Sequence, residues 1–144
     1  MAYEAVGFDP AANVLAPSVQ SFLNARYPPV ETSTAVPAAA FAPSWTNFGG
    51  GYALAAYATI GTRVFLRGLV TTSAALSGPS TIFTLPTGFQ PVKQELFVCT
   101  LGGGSSIRVD VFPVGNGSVA IGQGASVAAG TFLSLSGINF STLA

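Results

Sequence analysis

The chain has 144 residues, enough for one ordinary domain plus an arm and too few for two full-sized domains. Ten residues are charged, five of each sign, or 7% of the chain, against roughly 25% in an average soluble domain. That balance leaves no basic patch for nucleic acid. The absence of histidine excludes histidine-dependent catalytic triads, and a single cysteine, Cys99, excludes an intrachain disulfide and a cysteine-clustered zinc site.

Residues 32–62 and 111–144 carry no charge, and either is long enough to cross a bilayer, which takes about 20 apolar residues. Neither reads as a span. Pro37, Pro43, Asn47 and Gly49-Gly50-Gly51 interrupt the first, and six glycines, Pro113 and two asparagines interrupt the second. The first residues, Met-Ala-Tyr-Glu, lack the basic region of a secretory signal, so none is expected. A chain with so few charges and no net charge is prone to self-association. Obligate assembly resolves this, by covering much of the surface with other copies or a partner. A single well-packed monomer is the alternative.

Residues 1–44 hold six of the ten prolines, and residues 45–144 hold sixteen of the seventeen glycines. Prolines so spaced predict an extended arm over 1–44, with at most one short helix at residues 17–25. The arm carries Tyr3, Phe8, Val14, Leu15, Phe22, Leu23, Tyr27 and Phe41, unlike the polar composition of disordered segments. It is expected to lie on something: a partner protein, its own β domain, or a neighbouring copy. Residues 35–43 read as a hinge or linker.

From Trp45 onward the pattern is β. In Arg63-Val-Phe-Leu-Arg-Gly-Leu-Val, the side chains of Arg63, Phe65 and Arg67 share one face, and Val64, Leu66 and Val70 share the other. Further strands follow at Thr81-Ile-Phe-Thr-Leu, which ends at Pro86, and at Glu95-Leu-Phe-Val-Cys-Thr, which ends before three glycines. Ser106-Ile-Arg-Val-Asp-Val-Phe alternates, with Ile107, Val109 and Val111 inward and Arg108 and Asp110 outward. Gly115-Asn116-Gly117 then predicts a tight hairpin. With a first strand at residues 52–59 and three more near the end, about eight strands fall in 100 residues. Regular short strands with glycine turns predict a mainly β fold, a jelly-roll-like antiparallel β-sandwich knob over 45–144.

No motif carries visible chemistry. Gly102-Gly-Gly-Ser-Ser lacks the lysine of a phosphate-binding loop and reads as a turn. Asn116-Gly-Ser and Asn139-Phe-Ser match the glycosylation pattern, but Asn116 already has a turn role. Arg108 and Asp110, two apart on one strand face, read as an ion pair at the surface or between subunits. Arg63 and Arg67, on the face of Phe65, read as subunit interface or plain surface, with an acidic partner or a sugar as the alternative. Trp45 and Tyr52 read as caps of the β domain or as sugar-stacking aromatics. Cys99, alternating with Phe97, reads as a buried small apolar side chain. Glu95 and Asp110 are the only acids of the β region, and a two-carboxylate hydrolase would need them to converge.

The β region resembles a small domain found at the C-termini of bacteriophage virion proteins: tail fibres, head fibres and capsid decoration proteins. The resemblance covers about 100 residues, as an ordered series. Trp45 and Tyr52 open it, and the Arg63-to-Val70 strand follows. Ile82-Phe-Thr-Leu-Pro-Thr-Gly-Phe-Gln-Pro91 is similar to the family's proline corner, its most specific element. Arg108-Val-Asp-Val with Asn116-Gly-Ser-Val is similar to the next hairpin, and Phe132-Leu-Ser-Leu-Ser-Gly-Ile-Asn-Phe140 to the closing strands. Phe132 stands where the family has tryptophan, and exposed strand positions carry less charge.

The resemblance implies a homotrimeric knob on a virion, made in the host cytoplasm, with no cofactor, no nucleic-acid partner and no membrane partner. Two function classes follow. In the first, a decoration or cement protein of the outer capsid surface, Phe8, Leu15, Phe22, Leu23 and Tyr27 would anchor the arm to the major capsid protein. Phe65, Arg67, Arg108 and Asp110 would then line subunit interfaces. In the second, the knob is a receptor-binding tip of a tail fibre or baseplate, recognising a host-surface glycan or protein. The lack of heptad, collagen or β-helix repeats favours the first, because a fibre needs a shaft.

Overall fold

A computed structural model describes Phe8–Asp9, Val14–Leu15, Val19 and residues 32–143. The chain forms two units, Met1–Val30 and Glu31–Ala144. In the first, β1 (Phe8–Asp9) pairs antiparallel with β2 (Val14–Leu15), setting Phe8 opposite Leu15. This antiparallel pairing differs from the straight extended arm expected over 1–44. Val19 is helical, inside the helix expected at residues 17–25, whose other residues lie outside the described ones.

The second unit is mainly β and antiparallel, a β-sandwich-like arrangement. Its strands are β3 (Thr32–Ala35), β4 (Trp45–Asn47), β5 (Ala56–Ile60), β6 (Arg63–Arg67), β7 (Leu69–Thr72), β8 (Leu76–Ser77), β9 (Ser80–Thr84), β10 (Glu95–Thr100), β11 (Ser106–Val111), β12 (Ser118–Ile121), β13 (Ser126–Val127), β14 (Phe132–Ser134) and β15 (Asn139–Ser141). One sheet runs β10-β11-β12-β9. Three consecutive strands with the preceding one returned beside the last is the order of a Greek key. A β-bulge at Val119/Ala120 shifts the register with β9 and leaves Ile82 without a residue opposite. Ile82 and its neighbour Phe83 are accordingly both buried, although strict alternation would turn one outward.

The other face of the core is a bent ladder. The expected Arg63-to-Val70 strand is two strands that meet at Gly68: β6 pairs with β5 and β15, and β7 pairs with β4 and β14. Gly68 has φ +102°, and a Cβ there would stand 2.3 Å from the Leu54 carbonyl oxygen. Only glycine fits a bend pressed this closely on another backbone. The alternation holds on both sides of it, with Val64, Leu66 and Val70 buried and Arg63 and Arg67 exposed.

The inward residues of these sheets form one core, including Trp45, Tyr57, Ile82, Phe83, Leu85, Leu133, Leu135, Ile138 and Phe140. Each such side chain contributes about 1.5–3 kcal/mol by leaving water. The boundary anticipated at 44/45 falls inside this unit. β3 pairs with β5 through four residues, Val36 is buried, Phe41 bridges Phe83, and the Ala42 N–H donates to the Ile82 carbonyl at 2.9 Å. The segment read as a hinge at 35–43 is thus a packed edge containing a 3-10 turn at Ala38–Ala40. Its prolines suit an edge, where a missing N–H costs no ladder bond.

The proline corner ties the sheets' ends together. The Gln90 side chain is buried, donates to the Leu85 carbonyl at 2.7 Å, and accepts from the Gly115 N–H at 3.2 Å. Phe89 packs edge-on against Tyr57, with ring centroids 4.7 Å apart. The β11–β12 hairpin is present, but its connection is wider than a two-residue turn. Positive φ falls on Gly115 and Gly117, and the Asn116 side chain accepts from the Ser118 N–H at 3.0 Å.

Candidate interaction surfaces

The four residues expected at subunit interfaces lie on two different sheets. Phe65 and Arg67 are on β6, and Arg108 and Asp110 are on β11. On β6, register sets Phe65 between Ala58 of β5 and Asn139 of β15. Arg67 donates to the Ser33 hydroxyl at 2.6 Å, and Arg63 donates to the Asn139 side-chain oxygen. Small neighbours leave room beside Arg67: Ser33, Ala35, Ala53, Leu54 and Ala56 line with it a shallow depression of about 420 Å³. The exposed Leu54 gives its rim an apolar lip.

On β11, Arg108 and Asp110 form a two-pronged pair, Nε to Oδ1 at 2.8 Å and Nη2 to Oδ2 at 3.0 Å. The expectation that both point into solvent is corrected: Asp110 is on the outward face but only 3% exposed. The Arg108 guanidinium covers it, Gln94 donates to it at 3.3 Å, and Ala120 lies opposite on β12. Gly122 makes the fit possible, because a Cβ there would stand 2.3 Å from Arg108 Nε. A fork of this kind fixes direction and distance at once, where a lone lysine would not.

A row beside the fork was not singled out from the sequence. Among the described residues β10 is the edge of its sheet and pairs as a strand only with β11. Register sets Leu96 opposite Asp110 and Val98 opposite Arg108. Leu96 is 58% exposed and Val98 80% exposed. The Leu101–Leu133 bridge pins the end of this strand to β14. Between the other end and the end of β15, Val92, Lys93, Glu95, Ser141 and Leu143 line a cleft of about 260 Å³. The available signal was the apolar outward pair in Glu95-Leu-Phe-Val-Cys-Thr, which alternation alone reads as a strand with two usable faces.

Glu95 and Asp110 do not converge. Asp110 stands opposite Leu96, so Glu95 belongs to the opposite face of the sheet. Cys99 is buried, and burial pushes its thiol up to about 11, as expected of a small core side chain. Trp45 is buried in the core, with its indole N–H lacking a partner among the described residues, and is not placed to stack on a sugar; Tyr52 is exposed and packs against Phe48. Gly102–Gly104 is a turn between β10 and β11. Among the described residues no group of three or more acids or cysteines converges as a metal site, and no helix is long and apolar enough to cross a membrane.

Of the expected anchoring residues, Phe8 and Leu15 face each other in the β1–β2 ladder, and Phe22, Leu23 and Tyr27 lie outside the described residues. No family model and no curated protein matches the chain.

Proposed function

We propose that this is a structural virion protein, a capsid decoration or cement protein whose N-terminal segment anchors to the major capsid protein and whose β unit forms a homotrimeric, jelly-roll-like knob on the shell. The observation that carries the reading is the surface: ten charges in 144 residues, with Leu96 and Val98 outward on a sheet edge, suit a protein covered by neighbours. The first 30 residues form a unit of their own, as an anchor would. Burial of Phe8, Leu15, Phe22, Leu23 and Tyr27 on a shell would contribute about 1.5–3 kcal/mol each before ordering costs, and three arms per knob add avidity. The test is copy number in purified virions, by quantitative mass spectrometry against the major shell protein. A count within a few-fold of the shell protein supports decoration; a count at the level of tail components overturns it.

One groove favours a second reading, a receptor-binding tip. Ser105, Ser106, Arg108, Gln123 and Ser126 line an open groove of about 490 Å³. Hydroxyl, amide and guanidinium groups are the donors and acceptors that recognise a sugar. A screen of the soluble protein against host-surface glycans tests it, with loss of binding in Gln123→Ala expected.

A further inference from the structure

We infer that the outward face of β6, with Arg63 and Arg67 on either side of Phe65, docks on an acidic patch of the protein to which the N-terminal segment anchors. The inference rests on the anchoring role in the proposed function and adds an electrostatic contact to it. It gives Phe65 and Arg67 to that partner rather than to a subunit interface. Charge is spread unevenly over the described residues of the β unit. Arg108 is paired with Asp110, and Lys93 lines one cleft with Glu95. The other two cations, Arg63 and Arg67, are exposed on one strand face. The residues in register with them on β5 and β15, and those of β3 beyond, are all uncharged.

Each guanidinium is steadied by a neutral neighbour. Arg67 donates to the Ser33 hydroxyl at 2.6 Å, and Arg63 donates to the Asn139 side-chain oxygen. A guanidinium has five N–H donors, and these are the side-chain bonds the two arginines make among the described residues. Both keep their charge and most of their donors for a carboxylate, which the planar fork matches. Four residues of strand set them about 13 Å apart. Half-buried Phe65 between them, and exposed Leu54 at the depression beside Arg67, add apolar area. Arginine with aromatic side chains is the composition of a contact between proteins. A nucleic acid or an anionic polysaccharide is held by many cations, and this face has two. The chain also favours this side. Ser33 lies three residues after Val30, the last residue of the N-terminal unit, a reach of about 11 Å at most. Anchoring of that segment raises the local concentration of its partner at this face.

The test is binding of the full chain to purified particles made without it, by co-sedimentation over a range of salt. Arg63→Gln with Arg67→Gln is the informative variant, and Arg67→Gln alone is the milder one. Both side chains are exposed, so the fold should persist, as circular dichroism checks. Lys93→Gln, which removes an exposed cation elsewhere, is the control. The unmodified chain and Lys93→Gln should bind alike and lose affinity as salt rises. The double variant should bind about tenfold more weakly at low salt and respond little to salt, with Arg67→Gln in between. An unmodified chain that does not bind particles overturns the anchoring role, and this surface with it. Binding that is the same in the double variant at every salt concentration, or that Lys93→Gln weakens equally, overturns the surface alone. Heparin or a DNA duplex held as tightly as the particles, through the same two arginines, overturns the choice of a protein partner.

Discussion

Leu96 stands directly opposite Asp110 across the β10–β11 ladder, and the apolar side chain is the exposed one while the carboxylate is buried. The inversion has a local cause. Arg108 folds over Asp110 from two residues away, in space that Gly122 leaves open, whereas Leu96 is on a strand with no further strand beyond it among the described residues.

Arg108 is therefore expected to matter more than its half-exposed position suggests. Arg108→Met leaves a buried carboxylate with Gln94 as its donor, at a cost of about 1.5–3 kcal/mol. Adding Asp110→Asn to that variant should recover part of the loss. Urea unfolding of the two single variants and the double variant measures the coupling; additive losses would show that the fork contributes nothing.

The bend at Gly68 gives a contrast between two glycines. Gly68→Ala must resolve both a positive φ and a 2.3 Å approach to the Leu54 carbonyl, whereas Gly124→Ala, at φ +80°, meets open space. The strain alone costs about 1–3 kcal/mol at either site, and the clash adds to it only at Gly68. Gly68→Ala should thus have a clearly lower unfolding midpoint than Gly124→Ala in the same buffer.

Truncation should distinguish the two possible boundaries. Removing residues 1–30 leaves every described strand of the β unit, so the remainder should fold cooperatively, and under the proposed function it should no longer bind the particle. Removing residues 1–44 takes away β3, buried Val36 and the Phe41–Phe83 bridge. Loss of such core side chains costs about 2–5 kcal/mol each, so this product should melt many degrees lower or be insoluble. The fluorescence of the single tryptophan, Trp45, reports unfolding in both.

Cys99 supplies a pH dependence of known sign. Its thiol pKa is raised from 9.0 to about 11 by burial. The folded state therefore holds the proton more tightly than the unfolded state. Stability from this residue is fully present below pH 9 and falls as pH rises toward 11, by at most about 1.4 kcal/mol per unit. Cys99→Ala should flatten that part of the stability–pH curve, and the native thiol should resist a thiol reagent at pH 8 until the protein is unfolded.

Much of the β unit was legible in the sequence. Alternation located β6 and β11, because a half-buried strand turns every second side chain to the core, while Pro86 and the three glycines at 102–104 marked the ends of the runs that became β9 and β10. The proline corner was visible as a motif, although the buried, doubly bonded Gln90 that makes it rigid was not. The boundary at 44/45 was misplaced because prolines describe the local backbone and are as much at home on a sheet edge as in a linker. β3 is recruited by β5, more than twenty residues later, and no window around Thr32–Ala35 contains that partner.

The sequence by itself determined the β class, the inward and outward sets of β6, and the absence of histidine chemistry, since these depend on composition and near neighbours. Only the tertiary structure decided which strand became an edge, that Gly68 splits one run between two sheets, and that Asp110 is buried while Leu96 and Val98 are bare. A strand's own pattern specifies two faces, but burial of each face depends on what packs there, and those contacts come from residues far away along the chain.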